Sequence, residues 1–157
     1  MDSDTTSSSN TGSLIVHFDT AHVNIGPAPD LILVHFRAIA AKASGLSLDS
    51  ALLTEGYEDA EFRADGIVTY RGNYFLRIDD RYPLLLTYSG MSDIGEDAYE
   101  QMLDDVLPDM AHIDASTRFF TSALEHRWLN RIRCRAYGER NFRSALASCG
   151  LYASTPD

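Results

Sequence analysis

Residues 67–80, IVTYRGNYFLRIDD, and 83–91, PLLLTYSGM, decide how this chain is built. In the first, Val68, Tyr70, Gly72, Tyr74, Leu76 and Ile78 share one parity. Thr69, Arg71, Asn73, Arg77 and Asp79 share the other, with Phe75 the exception. Successive side chains of a strand point to opposite faces, so an apolar period of two describes a half-buried strand. In the second, Leu84, Leu86 and Tyr88 oppose Thr87 and Ser89, and DDRY at 79–82 supplies a turn. The two segments read as a β-hairpin. Gly72, inside a strand, marks a bulge or a sharp coil of the sheet.

Working outward, LIVHFDTAHV at 14–23 alternates in the same way, with Leu14, Val16 and Phe18 against His17 and Asp19. GPAP at 26–29 is a turn. DLILVHFRAIAAKAS, 30–44, starts as a strand and continues in residues that also suit a helix. Residues 45–66 read as one or two short strands with turns at Gly56 and at Asp65–Gly66. SDIGEDAYEQMLDDVL, 92–107, is the one amphipathic α-helix: Tyr99, Met102, Leu103 and Val106 fall on one face and Pro108 ends it. HRWLNRIRCRAYGER, 126–140, reads as a strand up to a turn at GER, and a last strand follows near 142–152. About eight strands at short spacing with one helix predict an all-β fold, an antiparallel up-and-down barrel over residues 14–157. Residues 1–13 read as a disordered polar leader.

The bulk numbers exclude several classes of function. A chain of 157 residues, 45% hydrophobic, suits one domain with a real core. Its net charge of −10 argues against nucleic acid and against anionic membrane surfaces. Its apolar runs fall short of the roughly 20 residues of a membrane-spanning helix. With no basic and apolar leader at the start, the expected place is the cytoplasm, where Cys134 and Cys149 are two buried thiols. No phosphate-binding loop, dinucleotide fingerprint, nucleophile elbow or zinc spacing occurs, so neither a cofactor nor a metal is expected. His17, His22, His35 and Asp19 have no specific ligand spacing.

Three blocks, ADGIVTYRGNYFLRIDD (64–80), LLLTYSGM (84–91) and TRFFTSALEHRWLNRIRCRAYGER (117–140), resemble the small β-barrel proteins grouped as domain of unknown function 3237. The resemblance runs over about 52–152, and the WLNR…GER block is its most specific part. It implies a barrel similar to the lipocalin-like and allene-oxide-cyclase-like ones. Such barrels hold hydrophobic small molecules, and some act as cofactor-free cyclases. Where the family has an Asp this chain has Glu58. Phe120 stands for its Glu and His126 for its Tyr, and its Gly-rich early segment is not recognisable in residues 30–50.

If the apolar parity faces inward, the barrel holds Tyr70, Tyr74, Tyr88, His126, Trp128, Asn130 and Cys134. Aromatic walls with a few hydrogen-bonding tips are what a small-molecule pocket needs. They are equally what a core with hydroxyls at its rim presents. Glu58 and His126 form the candidate acid–base pair, with Tyr70 as a third catalytic group. Tyr74, Tyr88, Trp128 and Asn130 are candidate ligand contacts. The parity of Arg71, Arg77, Arg131, Arg133 and Arg135 puts them outside, facing the acidic helix or a second subunit of a homodimer. Three readings follow. The first is a cofactor-free cyclase, isomerase or lyase for a hydrophobic small molecule, such as one of specialised metabolism. The second is a lipocalin-like carrier. The third is a structural or dimerising module with a filled barrel.

Overall fold

The structure is a computed structural model that describes residues 11–154. Eight strands run in sequence order around a closed barrel: β1 (Thr11–Ile25), β2 (Leu31–Gly45), β3 (Leu52–Arg63), β4 (Ile67–Ile78), β5 (Tyr82–Asp93), β6 (Met110–Thr121), β7 (Arg133–Asn141) and β8 (Leu146–Ser154). All neighbouring pairs are antiparallel. β1 closes the sheet on β8, from Thr11 opposite Tyr152 to His17 opposite Leu146. Over that stretch neither β1 nor β8 is left as a free edge. No helix among the described residues is long and apolar enough to cross a membrane.

The hairpin that sets the fold is β4–β5, with Gly72 opposite Tyr88 and Tyr74 opposite Leu86. Its inner residues Val68, Tyr70, Tyr74, Leu76, Ile78, Leu84, Leu86 and Tyr88 are all buried, and Phe75 is exposed as its parity requires. The inner faces of the other strands complete one core, with Phe18, Val34, Phe62, Phe119 and Leu151 nearly inaccessible. Each of these large side chains contributes about 1.5–3 kcal/mol by leaving water.

Local corrections follow from the closure. Residues 31–45 are strand throughout, because β2 must pair with both β1 and β3 along its length. Gly56 is inside β3 and is not a turn; the turn at Asp65–Gly66 is present. The helix, α1, spans only Asp97–Leu103 and rests on the barrel through Ala98 and Met102, while Leu103 and Val106 are exposed. Among the described residues, none of Arg71, Arg77, Arg131, Arg133 and Arg135 forms an ion pair with it, and Arg135 pairs instead with Asp114. Of the expected leader, residues 1–10 lie outside the described residues, and Thr11–Ser13 already belong to β1.

The largest departure lies at 126–140. Leu124–Arg131 is a 3₁₀ helix that crosses one end of the barrel, and only Arg133–Asn141 is strand. Ala123, His126, Leu129 and Ile132 are buried, a spacing of three that suits the three residues per turn of this helix. A parity of two has no meaning there. GER is not a turn either: Gly138, Glu139 and Arg140 continue β7, and the chain turns at 142–145.

Candidate functional site

Three inner tyrosines lie where inner glycines make room for them. Tyr74 stands opposite Gly56 in the β3–β4 register, Tyr88 opposite Gly72 and Tyr70 opposite Gly90 in β4–β5. A Cβ on Gly56 would meet the Tyr74 ring at 2.5 Å, and one on Gly72 would meet the Tyr88 ring at 2.5 Å. No real side chain fits at that distance, so each ring lies flat across its partner strand. Seated this way, Tyr74 and Tyr88 stack at 5.5 Å and Tyr70 meets Tyr88 edge-on at 6.1 Å.

The seating brings the hydroxyls into a chain. The Tyr88 hydroxyl donates to Glu58 Oε2 at 2.5 Å and lies 2.7 Å from the Tyr74 hydroxyl. With the Tyr88 proton committed to Glu58, Tyr74 is the donor to Tyr88. Burial, and then the negative charge of Glu58, pushes both tyrosines well above their ordinary value near 10. Tyr70 stands apart: its oxygen accepts from the Asp114 backbone N–H at 2.8 Å, and burial raises it as well.

Glu58 Oε1 accepts from Nε of Arg140 at 3.1 Å, and both residues are almost wholly buried. The guanidinium lies against three rings, 4.0 Å from the centroid of Phe18 and 4.7 Å from those of Phe36 and Phe142. Its Nη1 donates to the Asn141 carbonyl at 2.9 Å, whereas Nη2 has no partner among the described residues. Beside this pair is a cavity of about 10 Å³ lined by Glu58, Val68, Tyr70, Ile113, Arg140 and Phe142 among others. That is about the room one water molecule needs.

Of the candidates read from the sequence, Glu58, Tyr70, Tyr74 and Tyr88 are together in the barrel. The other three are not with them. His126 is buried in the 3₁₀ helix, edge-on to Tyr82, and neither of its ring nitrogens has a partner among the described residues. It closes the end of the barrel opposite the β7–β8 turn, near which Arg140 sits, so the Glu58–His126 pair is not formed. Trp128 is 38% exposed. Asn130 is exposed, and its side chain accepts from Thr121 N–H and donates to Thr121 C=O, both at 2.8 Å. It staples a strand end. His35 pairs with Asp59 at 2.7 Å on the outer side of the barrel.

Arg140 is the residue that the sequence reading passed over. Its signal was the parity of Cys134, Ala136 and Gly138, which continues inward to Arg140 once GER is taken as strand. Cys134 and Cys149 are buried free thiols, pushed up to about 11 and about 12 by burial.

A family model described as "Protein of unknown function (DUF3237)" matches residues 11–148. No curated protein matches the chain in sequence. Among solved structures, a protein of unknown function from Clostridium acetobutylicum ATCC 824 superposes with a TM-score of 0.76 at 16% identity, covering 92% of this chain and 96% of that one. A β-barrel-like protein from Acinetobacter baumannii AYE gives 0.70 at 16% identity, over 90% and 91%. A protein described as an enzyme from Penicillium herquei gives 0.64 at 14% identity, over 91% and 90%. At these identities the likeness is one of fold.

Proposed function

The chain belongs to the DUF3237 family, whose function is unknown, and within it we propose that this barrel transfers protons on a hydrophobic small molecule, as an isomerase, cyclase or lyase. The hydrogen-bonded chain Tyr74–Tyr88–Glu58 carries the reading. Glu58 is the base. The carboxylate keeps lone pairs free beside its bonds to Tyr88 and Arg140. When Glu58 takes a proton, Tyr88 and Tyr74 can reorient their hydrogen bonds around the neutral acid. Arg140 supplies a fixed positive charge where negative charge would develop, in surroundings that exclude water. Tyr70 lines the cavity, which supports a role for it in orienting a ligand. The Penicillium herquei neighbour with this fold is described as an enzyme, which adds support by analogy of fold alone.

The cavity also favours a second reading. At about 10 Å³ it admits no organic molecule as it stands, and a filled barrel held by a buried polar network is a structural module. Catalysis requires the 94–109 connection, which covers the β7–β8 end of the barrel, to move aside.

The two readings separate in one experiment. The protein is incubated in D2O with a hydrophobic small-molecule extract and the mixture is followed by mass spectrometry. Under the proposal, one or more compounds gain deuterium or change mass with the native protein, and Tyr88→Phe slows this by about 10²-fold or more. Binding without any conversion would show a carrier. Neither binding nor conversion would leave the filled barrel.

A further inference from the structure

We infer that the ligand of this site is a neutral carbonyl compound, whose oxygen accepts a hydrogen bond from Nη2 of Arg140. This rests on the proton-transfer reading and names the substrate class for it. The first support is the orphaned donor. Arg140 is 3% exposed; Nε is used by Glu58, Nη1 by the Asn141 carbonyl, and Nη2 by nothing. A buried guanidinium nitrogen without an acceptor is disfavoured, and Arg140 is among the residues that line the one-water cavity. A single acceptor oxygen is what that space can take.

Charge then decides which oxygen. The site already balances, with one carboxylate, Glu58, against one guanidinium, Arg140, among the rings of Phe18, Phe36 and Phe142. A carboxylate or phosphate ligand would leave a net negative charge in surroundings that solvate it poorly. A neutral carbonyl adds none. The connection that covers this end of the barrel points the same way. Over 94–109 it carries Glu96, Asp97, Glu100, Asp104, Asp105 and Asp109 and no Lys or Arg, a field that turns anions away.

Enolisation keeps the balance throughout. The carbon–hydrogen bond beside the carbonyl breaks and its proton goes to a Glu58 oxygen. The electron pair forms the carbon–carbon double bond, and the carbonyl π pair moves onto oxygen. Glu58 is then neutral, and the enolate oxygen faces Arg140 through Nη2, so the ion pair has only changed its negative member. Return of the proton to carbon, at the same or another position, ends the cycle with no oxidant or reductant.

Two probes of similar size test the assignment: 2-tetralone, a neutral enolisable ketone, and 2-naphthoate, an anion. Arginine side-chain ¹⁵N signals of the full chain report binding at Arg140, and deuterium content of the ketone recovered from D2O reports exchange. The expected result is a shift of the Arg140 signal with 2-tetralone, and affinity on the order of tenfold above that for 2-naphthoate, about 1.4 kcal/mol. Equal or tighter binding of 2-naphthoate, no binding of the ketone, or ketone binding that leaves the Arg140 signal unmoved overturns the assignment. Exchange is expected to fall about 10²-fold or more in Glu58→Gln. Because that variant strands a buried guanidinium, the double variant E58Q/R140Q, which buries no charge, is measured beside it and is expected to lose both the exchange and the preference. Ketone binding at Arg140 with no exchange in the native protein supports the assignment and overturns the proton-transfer reading. Exchange with an unmoved Arg140 signal does the reverse.

Discussion

The two ends of the barrel bury titratable groups in opposite ways. Toward the β7–β8 turn, Glu58, Arg140, Tyr74 and Tyr88 bond one another; among the described residues, Nη2 of Arg140 is left over, as is Oγ1 of Thr117 opposite Tyr88. At the other end His126 is buried under the 3₁₀ helix with both ring nitrogens unpartnered. The first set stands on strands, whose register fixes facing and distance together. The second stands in a connection that covers the barrel, where an apolar contact with Tyr82 is enough. Burial of a polar residue therefore signals a site here only where neighbouring strands hold its partners.

The largest test of this contrast is Arg140→Met. It leaves a buried carboxylate without its counter-charge and is expected to cost about 3–5 kcal/mol of unfolding free energy by urea titration. A loss below about 1 kcal/mol would mean that the network holds little of the fold. Next comes alkali. Tyr74 and Tyr88 hold their protons well above the ordinary value near 10 in the folded state. Above that value the unfolded chain releases those protons first and binds fewer, so stability is intact below about pH 10 and falls as pH rises further. Tyrosinate absorbance from these two residues should then appear only together with unfolding. Gly72→Ala should cost about 1–3 kcal/mol, since its methyl meets the Tyr88 ring. The smallest effect is expected at the other end. His126→Phe removes two unsatisfied nitrogens and is expected to change the melting free energy by less than about 1 kcal/mol, in either direction. A loss of several kcal/mol would show that His126 has a partner after all.

The parts of the fold written in a period of two were legible in the sequence. The β4–β5 hairpin, the inner tyrosines and the exposed Phe75 all follow from parity, and so does the barrel, once strands recur at short intervals. Glu58 was singled out through the resemblance, which sets it against a carboxylate of the family, and its partners were not read with it. The 126–131 segment was misread because Trp128, Asn130 and Ile132 match a strand period by accident, while the true spacing of three rests on Ala123, His126, Leu129 and Ile132. Arg140 was missed for a related reason: Gly138 suggests a turn, yet in a barrel a glycine on the inner face also gives room to a neighbouring strand. Here a Cβ on it would meet the Ser148 carbonyl oxygen and Cys149. What sequence could not carry at all is the meeting of Glu58 with Arg140, 82 residues apart, which only closure of the sheet brings about.

The ring seats of the inner face have a use outside the native chemistry. Gly56 gives Tyr74 a floor of bare backbone, and the ring fills the space above it completely. Cutting Tyr74 back to alanine, which keeps Cβ, would empty a flat mould with the outline of phenol, walled by Tyr88 and with a hydrogen-bonding oxygen at its far end. Added phenol should restore part of the lost melting temperature, while benzene, with the same ring and no hydroxyl, should restore less. The protein would then serve as a receptor whose recognition element is the absence of its own side chain.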